Sequence, residues 1–227
     1  MAGAATEVYV EVGRKRTFAG AVAWPGWSRS GRDETAALNA LIAHASRYTR
    51  VLRGTRLRFR APKDVGDVVV VERLEGDATT DFGAPSTMPA EDGAPLDEAG
   101  ARRARTILHA CWGAFDSAVA DARGRDLRTG PRGGGRSLEA IVGHVAGADA
   151  AYLRALARRH RDDEAAEPVT RLLATRAAIE DALDAAVRGE IPDRGPRGGR
   201  VWAPRYFVRR VSWHVLDHAW EIEDRLG

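Results

Sequence analysis

The chain has 227 residues, 44% of them hydrophobic and 30% charged, which excludes global disorder and allows one or two domains with real cores. The formal charge is only +3, acids nearly match bases, and the arginines are scattered, so no basic element marks a nucleic-acid surface. A single cysteine, Cys111, excludes an intramolecular disulfide and a cysteine-based zinc site, and no apolar run reaches the length of a membrane span.

The N-terminus Met1-Ala2-Gly3-Ala4-Ala5-Thr6 lacks the basic-then-apolar pattern of a secretory leader, so the cytoplasm is the expected compartment. Of the 35 basic residues only Lys15 and Lys63 are lysines, a bias that fits GC-rich codons and requires no functional reason.

In chain order, the first region reads as α+β. Val8, Val10 and Val12 alternate with Glu7, Tyr9 and Glu11 as a strand, and after the turn Gly13-Arg14-Lys15-Arg16 the run Thr17 to Trp24 reads as its hairpin partner. Pro25-Gly26 ends that strand. Asp33 and Glu34 then lead into Ala36, Ala37, Leu38, Leu41 and Ile42, which predicts a helix running to about Leu52. Leu57 to Arg60 and Val68 to Val71 read as two more strands, broken by Pro62 and Gly66. The domain is expected to span residues 1–76. From Asp77 to about Pro95 the composition turns to Gly, Pro, Ala, Ser, Thr and Asp without periodicity, so residues 77–96 are expected to be a linker or mobile loop.

Beyond it, residues 97–227 read as all-α. Four amphipathic helices are predicted: Asp97 to Ala122; from the capping residue Ser137 to about Leu156; Glu167 to Arg188, opening at Pro168; and one following Pro204. Helices of this number and length predict a four-helix bundle. Two similar loops, Gly130 to Arg136 and Gly195 to Arg200, precede the second and fourth helices. They read either as solvated connections or as a source of Arg and backbone N–H groups for an anion at a helix start.

The fourth helix carries Trp213-His214-Val215-Leu216-Asp217-His218. A separation of four residues puts His214 and His218 on one helix face, flanking the apolar stripe of Val211, Val215 and Ile222, while His144 neighbours Ile141 and Val145 on the second helix. Three imidazoles near a core need partners, and one metal ion would engage a nitrogen of each; hydrogen-bonded boundary histidines are the alternative. Three neutral ligands would leave coordination positions open, as in a catalytic site. Asp149, Asp217 and Glu221 are candidate acceptors for the outer ring nitrogens, or else solvated helix residues. Arg210, one turn before His214, is a candidate for holding a substrate carboxylate, or else a surface arginine. Cys111 lies on an apolar stripe with nothing to activate it, and His44, His109 and His160 fall away from the triad. Trp213 and Trp220 share a face, for packing or for a dimer surface.

A histidine in the second helix, within Ile141 to Asp149, and the pair within Trp213 to His218 resemble the DinB-like family over residues 97–227. The resemblance implies a bundle that dimerises, a divalent metal (zinc or nickel) on His144, His214 and His218, and a thiol-dependent transferase or isomerase using a low-molecular-weight thiol such as mycothiol on a small-molecule substrate. A metal-dependent hydrolase and a non-enzymatic interaction protein are the alternatives. The segment Trp24-Pro25-Gly26-Trp27, the polar turn Ser28 to Glu34 and the helix Ala36 to Tyr48 resemble the small α+β fold of HicB-like antitoxins. Those proteins add a DNA-binding segment where this chain has helices, so antitoxin activity is not expected to carry over.

Overall fold

A computed structural model describes residues 5–129, 135–195 and 198–226. The chain combines α and β structure in two compact units, Met1–Ala94 and Pro95–Gly227.

The first unit is built on a sheet of four strands, β1 (Thr6–Val12), β2 (Thr17–Ala21), β3 (Ser28–Gly31) and β4 (Val68–Glu75), in the order β3-β2-β1-β4. Short turns make β1, β2 and β3 antiparallel neighbours, whereas β4 arrives after a helical crossover and pairs parallel to β1. Tyr9 faces Gly20 across the ladder and its ring lies where a side chain at Gly20 would stand, 2.5 Å from a Cβ built there. Only glycine admits that approach.

Helix α1 (Glu34–Ala43) packs on β2 and β3, and α2 (Ala45–Val51) follows it. The Asp33 carboxylate accepts from the Ala36 N–H at 2.8 Å and starts α1 as the sequence predicts. The single helix expected to Leu52 is divided at His44, whose Nδ1 lies 2.9 Å from the Ala40 carbonyl oxygen and whose ψ of 0° departs from α geometry. Two further expectations fail for a shared reason. Ser28–Gly31 is a strand and not a turn, because Trp24 to Trp27 closes a tight hairpin and the Trp27 indole N–H reaches the Leu41 carbonyl at 2.9 Å. Leu57 to Arg60 is not a strand, because Phe59 is drawn into edge-on contact with Trp24, Trp27 and Tyr48 at 5.0–5.1 Å.

The alternation expected along β1 also breaks. Val12 is 42% exposed while Glu11 is fully buried. The reason lies in residues 77–94, which fold onto the first unit and do not act as a linker. Asp77 caps the short helix α3 (Ala78–Phe82), and Glu11 gathers the Thr80 hydroxyl, the Ser86 N–H at 2.9 Å and the Thr87 N–H at 3.1 Å. A buried carboxylate is tolerated there because several donors satisfy its oxygens.

The second unit holds four long helices: α4 (Glu98–Ala122), α5 (Leu138–Ala155), α6 (Pro168–Val187) and α7 (Pro204–Leu226). Their starts follow local chemistry. Asp97 accepts from the Gly100 N–H at 2.7 Å, Ser137 accepts from the Ala140 N–H at 3.2 Å, and prolines open α6 and α7. Helix α7 packs against α4 and α5, and α6 against α5 and α4. The interior is filled by Leu108, Phe115, Ile141, Leu153, Ile179, Leu183, Phe207 and Val215, each buried. Polar contacts reinforce the α4–α6 pair: Arg176 grips Asp116 through two 2.8 Å bonds, and Arg105 bonds Glu180 and Asp184. Of the two glycine–arginine loops expected as connections or anion donors, residues 130–134 and 196–197 lie outside the described residues, while Gly195 and Gly199 bond across a tight turn beside an antiparallel Arg194–Arg200 bridge. Trp213 and Trp220 are both buried, which assigns them to packing. No helix among the described residues is long and apolar enough to cross a membrane.

Candidate metal centre

Helix α7 is buried on nearly every side from Tyr206 to Leu216, so polar side chains on it are held inside the unit and need partners there. Two of them are His214 and His218, one turn apart, and α5 brings His144 against both. His214 Nε2 lies 3.2 Å from His144 Nε2 and 3.2 Å from His218 Nε2. The three histidines are thus close enough to hold a metal ion.

Protonation follows from the neighbours. His218 Nδ1 is 2.7 Å from a Glu221 carboxylate oxygen, an acceptor only, so Nδ1 carries hydrogen and the lone pair of the neutral ring sits on Nε2, facing the other two imidazoles. Burial pushes the His144 pKa down to about 4, with repulsion from the protonated form of His218 and from Arg136 adding to the effect. Burial likewise holds His214 well below its ordinary value, with His218, His144 and Arg210 contributing. Both rings are therefore neutral at pH 7, the state in which imidazole binds a metal.

The donor set fits a divalent cation. Two imidazole nitrogens bound about 2.0–2.1 Å from a tetrahedral zinc stand about 3.3 Å apart, close to the 3.2 Å contacts between these rings. Glu221 completes the arrangement on the outer side: it accepts hydrogen bonds from His218 Nδ1–H and from Arg225 Nη1 at 3.0 Å, and Arg225 in turn donates to the Arg128 and Arg136 carbonyls.

The other expected site residues are placed differently. Asp149 is fully buried on α5, and neither carboxylate oxygen has a hydrogen-bond partner among the described residues, so it does not orient a ring. Burial pushes its pKa up to about 8 against the opposing pull of Arg176. Asp217 is half-buried between the two histidine positions. Arg210 is not a surface arginine: it is 6% exposed, and its Nη2 donates to the Tyr152 hydroxyl at 3.2 Å. Cys111 is buried and its thiol is pushed up to about 12, which excludes a thiolate nucleophile at neutral pH. His109 pairs with Glu180 away from the triad.

No known family model, curated protein or solved structure matches the chain. The chemistry of the centre must be read from its own residues. Two of these escape a reading of the sequence. Tyr152 meets the His214 ring edge-on at 5.8 Å and Trp202 meets Tyr152 at 5.3 Å. The eight-residue spacing of Tyr152 from His144, close to two helical turns, is a signal for the first. Trp202 precedes α7 and has no such signal.

Proposed function

We propose that the second unit is a DinB-like four-helix bundle that binds a divalent metal, zinc or nickel, through His144, His214 and His218 and works as a thiol-dependent transferase or isomerase on a small molecule. The convergence of three Nε2 atoms, with two adjacent contacts of 3.2 Å, carries this reading. The HicB-like likeness of the first unit is kept as a fold likeness, supported by the sequence of strands, helix and strand on one small sheet.

A metal with three neutral imidazoles keeps its positive charge and lowers the pKa of a thiol or water bound to it. The chain's own residues would do the rest. His218 is locked in one tautomer by Glu221, Glu221 is steadied by Arg225, and the burial of His214 keeps its ring uncharged near neutral pH. A low-molecular-weight thiol fits the remaining positions because the protein's own Cys111 is buried and protonated. A homodimer in the cytoplasm, with neither nucleic acid nor membrane as partner, completes the proposal.

The test is metal analysis of the purified protein beside His144→Ala and His214→Ala variants. Stoichiometric metal in the wild type and its loss from both variants is the expected result. A metal-free wild type, or variants that retain the ion, would reject the reading. With metal present, a sulfur ligand seen by X-ray absorption on adding mycothiol supports the thiol-dependent transferase or isomerase, whereas its absence with hydrolytic turnover supports the hydrolase.

A further inference from the structure

Arg210 lies one helical turn before His214 and is buried in the second unit, with 6% of its surface exposed. Only its Nη2 has a hydrogen-bond partner, the Tyr152 hydroxyl, while Nε and Nη1 are buried without one among the described residues. The guanidinium carbon sits 5.2 Å from the centre of the Trp213 ring, 5.4 Å from Tyr152 and 5.8 Å from Trp202. Three aromatic rings thus hold the cation. They do not meet its N–H groups, which need acceptors in the plane of the guanidinium.

The same ring wall continues to the metal centre, since Tyr152 and Trp213 both adjoin the His214 ring, at 5.8 and 6.0 Å. Arg136 and Arg210 both bear on His214, and the nearby acid Glu221 is committed to His218 and Arg225. Asp149, the buried acid one turn before Tyr152 on α5, forms no ion pair among the described residues. A buried guanidinium that keeps two unused donors beside an aromatic wall is a receptor for a planar oxyanion, which it can take in two parallel charge-assisted bonds.

We propose that Arg210, walled by Tyr152, Trp202 and Trp213, binds the carboxylate of a small substrate whose apolar or flat body lies along the aromatic wall toward His214. This inference rests on the metal-centre reading for what the substrate then meets, since residues four apart on a helix face lie about 5–6 Å from each other and one small molecule can span both. A carboxylate is favoured over a phosphate because a single guanidinium matches its planar fork, with no lysine or second arginine bonded to the Arg210 group among the described residues.

The test titrates the metal-loaded full-length protein with benzoate, with its uncharged analogue benzamide and with inorganic phosphate, read by calorimetry and by the fluorescence of the tryptophans in the wall. Saturable benzoate binding is expected, with benzamide and phosphate each weaker by about tenfold or more. Arg210→Lys keeps the charge but not the fork and should weaken benzoate by about tenfold, while Arg210→Met should abolish binding. Both variants are expected to retain the metal, and Arg210→Lys decides the matter if Arg210→Met does not fold. Benzoate that fails to bind the wild type, binds Arg210→Lys as tightly as wild type, or is outcompeted by phosphate overturns the inference. Metal content is measured without any carboxylate, so a missing metal marks the failure of the metal-centre reading alone. Benzoate titration of the metal-free protein then still tests Arg210.

Discussion

Glu221 shows how one residue can govern the donor strength of another. Its carboxylate accepts a hydrogen bond from the Nδ1–H of His218, and that choice of tautomer leaves Nε2 facing His214. Glu221 itself is held below its ordinary pKa first by the His218 bond and then by Arg225, so it stays charged. Replacing it with glutamine keeps the size and removes the charge. Glu221→Gln is expected to weaken metal binding by about 10–100-fold without emptying the site at saturating metal, measured by competition with a chelator. Asp149 makes a second test at this scale. Its pKa is about 8 in the folded chain and near 3.8 when unfolded, so the unfolded state releases the proton first. Between these values the folded state binds more protons than the unfolded one, and stability must fall as pH rises. Each pKa unit corresponds to about 1.4 kcal/mol of difference between the two protonation states. Asp149→Asn removes the titration, and its melting temperature should gain on the wild type as pH climbs from about 4 to 8. Parallel pH profiles for the two proteins would show that Asp149 is not buried in the neutral form.

At the scale of elements, ion pairs cross the α4–α6 contact. Arg176 is 9% exposed and makes both of its bonds to Asp116 across the two helices, with its guanidinium 5.4 Å from the Trp112 ring centre. Asp116 is half-exposed, which screens the pair and limits its worth. Asp116→Ala leaves the nearly buried arginine without its partner and is expected to cost about 1–3 kcal/mol in urea unfolding, more than Arg102→Ala at the exposed Glu98 pair. The four helices themselves were legible from sequence. Their starts are set within a few residues, by Asp97, Ser137 and prolines, and their apolar stripes repeat with the helical period. Strand β3 and the segment 77–94 were not legible, because what fixes them is distant. The Thr80 bond to Glu11 joins residues 69 positions apart, and Ser28–Gly31 has no apolar pattern of its own. The same division runs through the site. The helical spacing of His214 and His218 points to a shared face, whereas the burial of Arg210 depends on Tyr152 and Trp202, which the chain brings to it from α5 and from the approach to α7.

Across the whole molecule, the two units should answer differently to a metal, because the clustered His144, His214 and His218 all lie in Pro95–Gly227. Each unit has its own interior: Trp27, Tyr48 and Leu41 fill the first, and Phe115, Ile141 and Phe207 the second. An ion that binds only the folded second unit stabilises it by mass action, about 2.7 kcal/mol at a free concentration 100 times the dissociation constant. The gain would belong to openings that disrupt the site, since an ion held by His144, His214 and His218 would tie α5 to α7 and be released when these helices separate. Amide hydrogen exchange with and without zinc therefore gives the sharpest prediction at this scale. Amides around His144 on α5 and along His214 to His218 on α7 should exchange more slowly with metal, those of β1 and β2 should be unchanged, and His214→Ala should abolish the difference. Slowing confined to the first unit, or slowing that survives His214→Ala, would place the metal elsewhere.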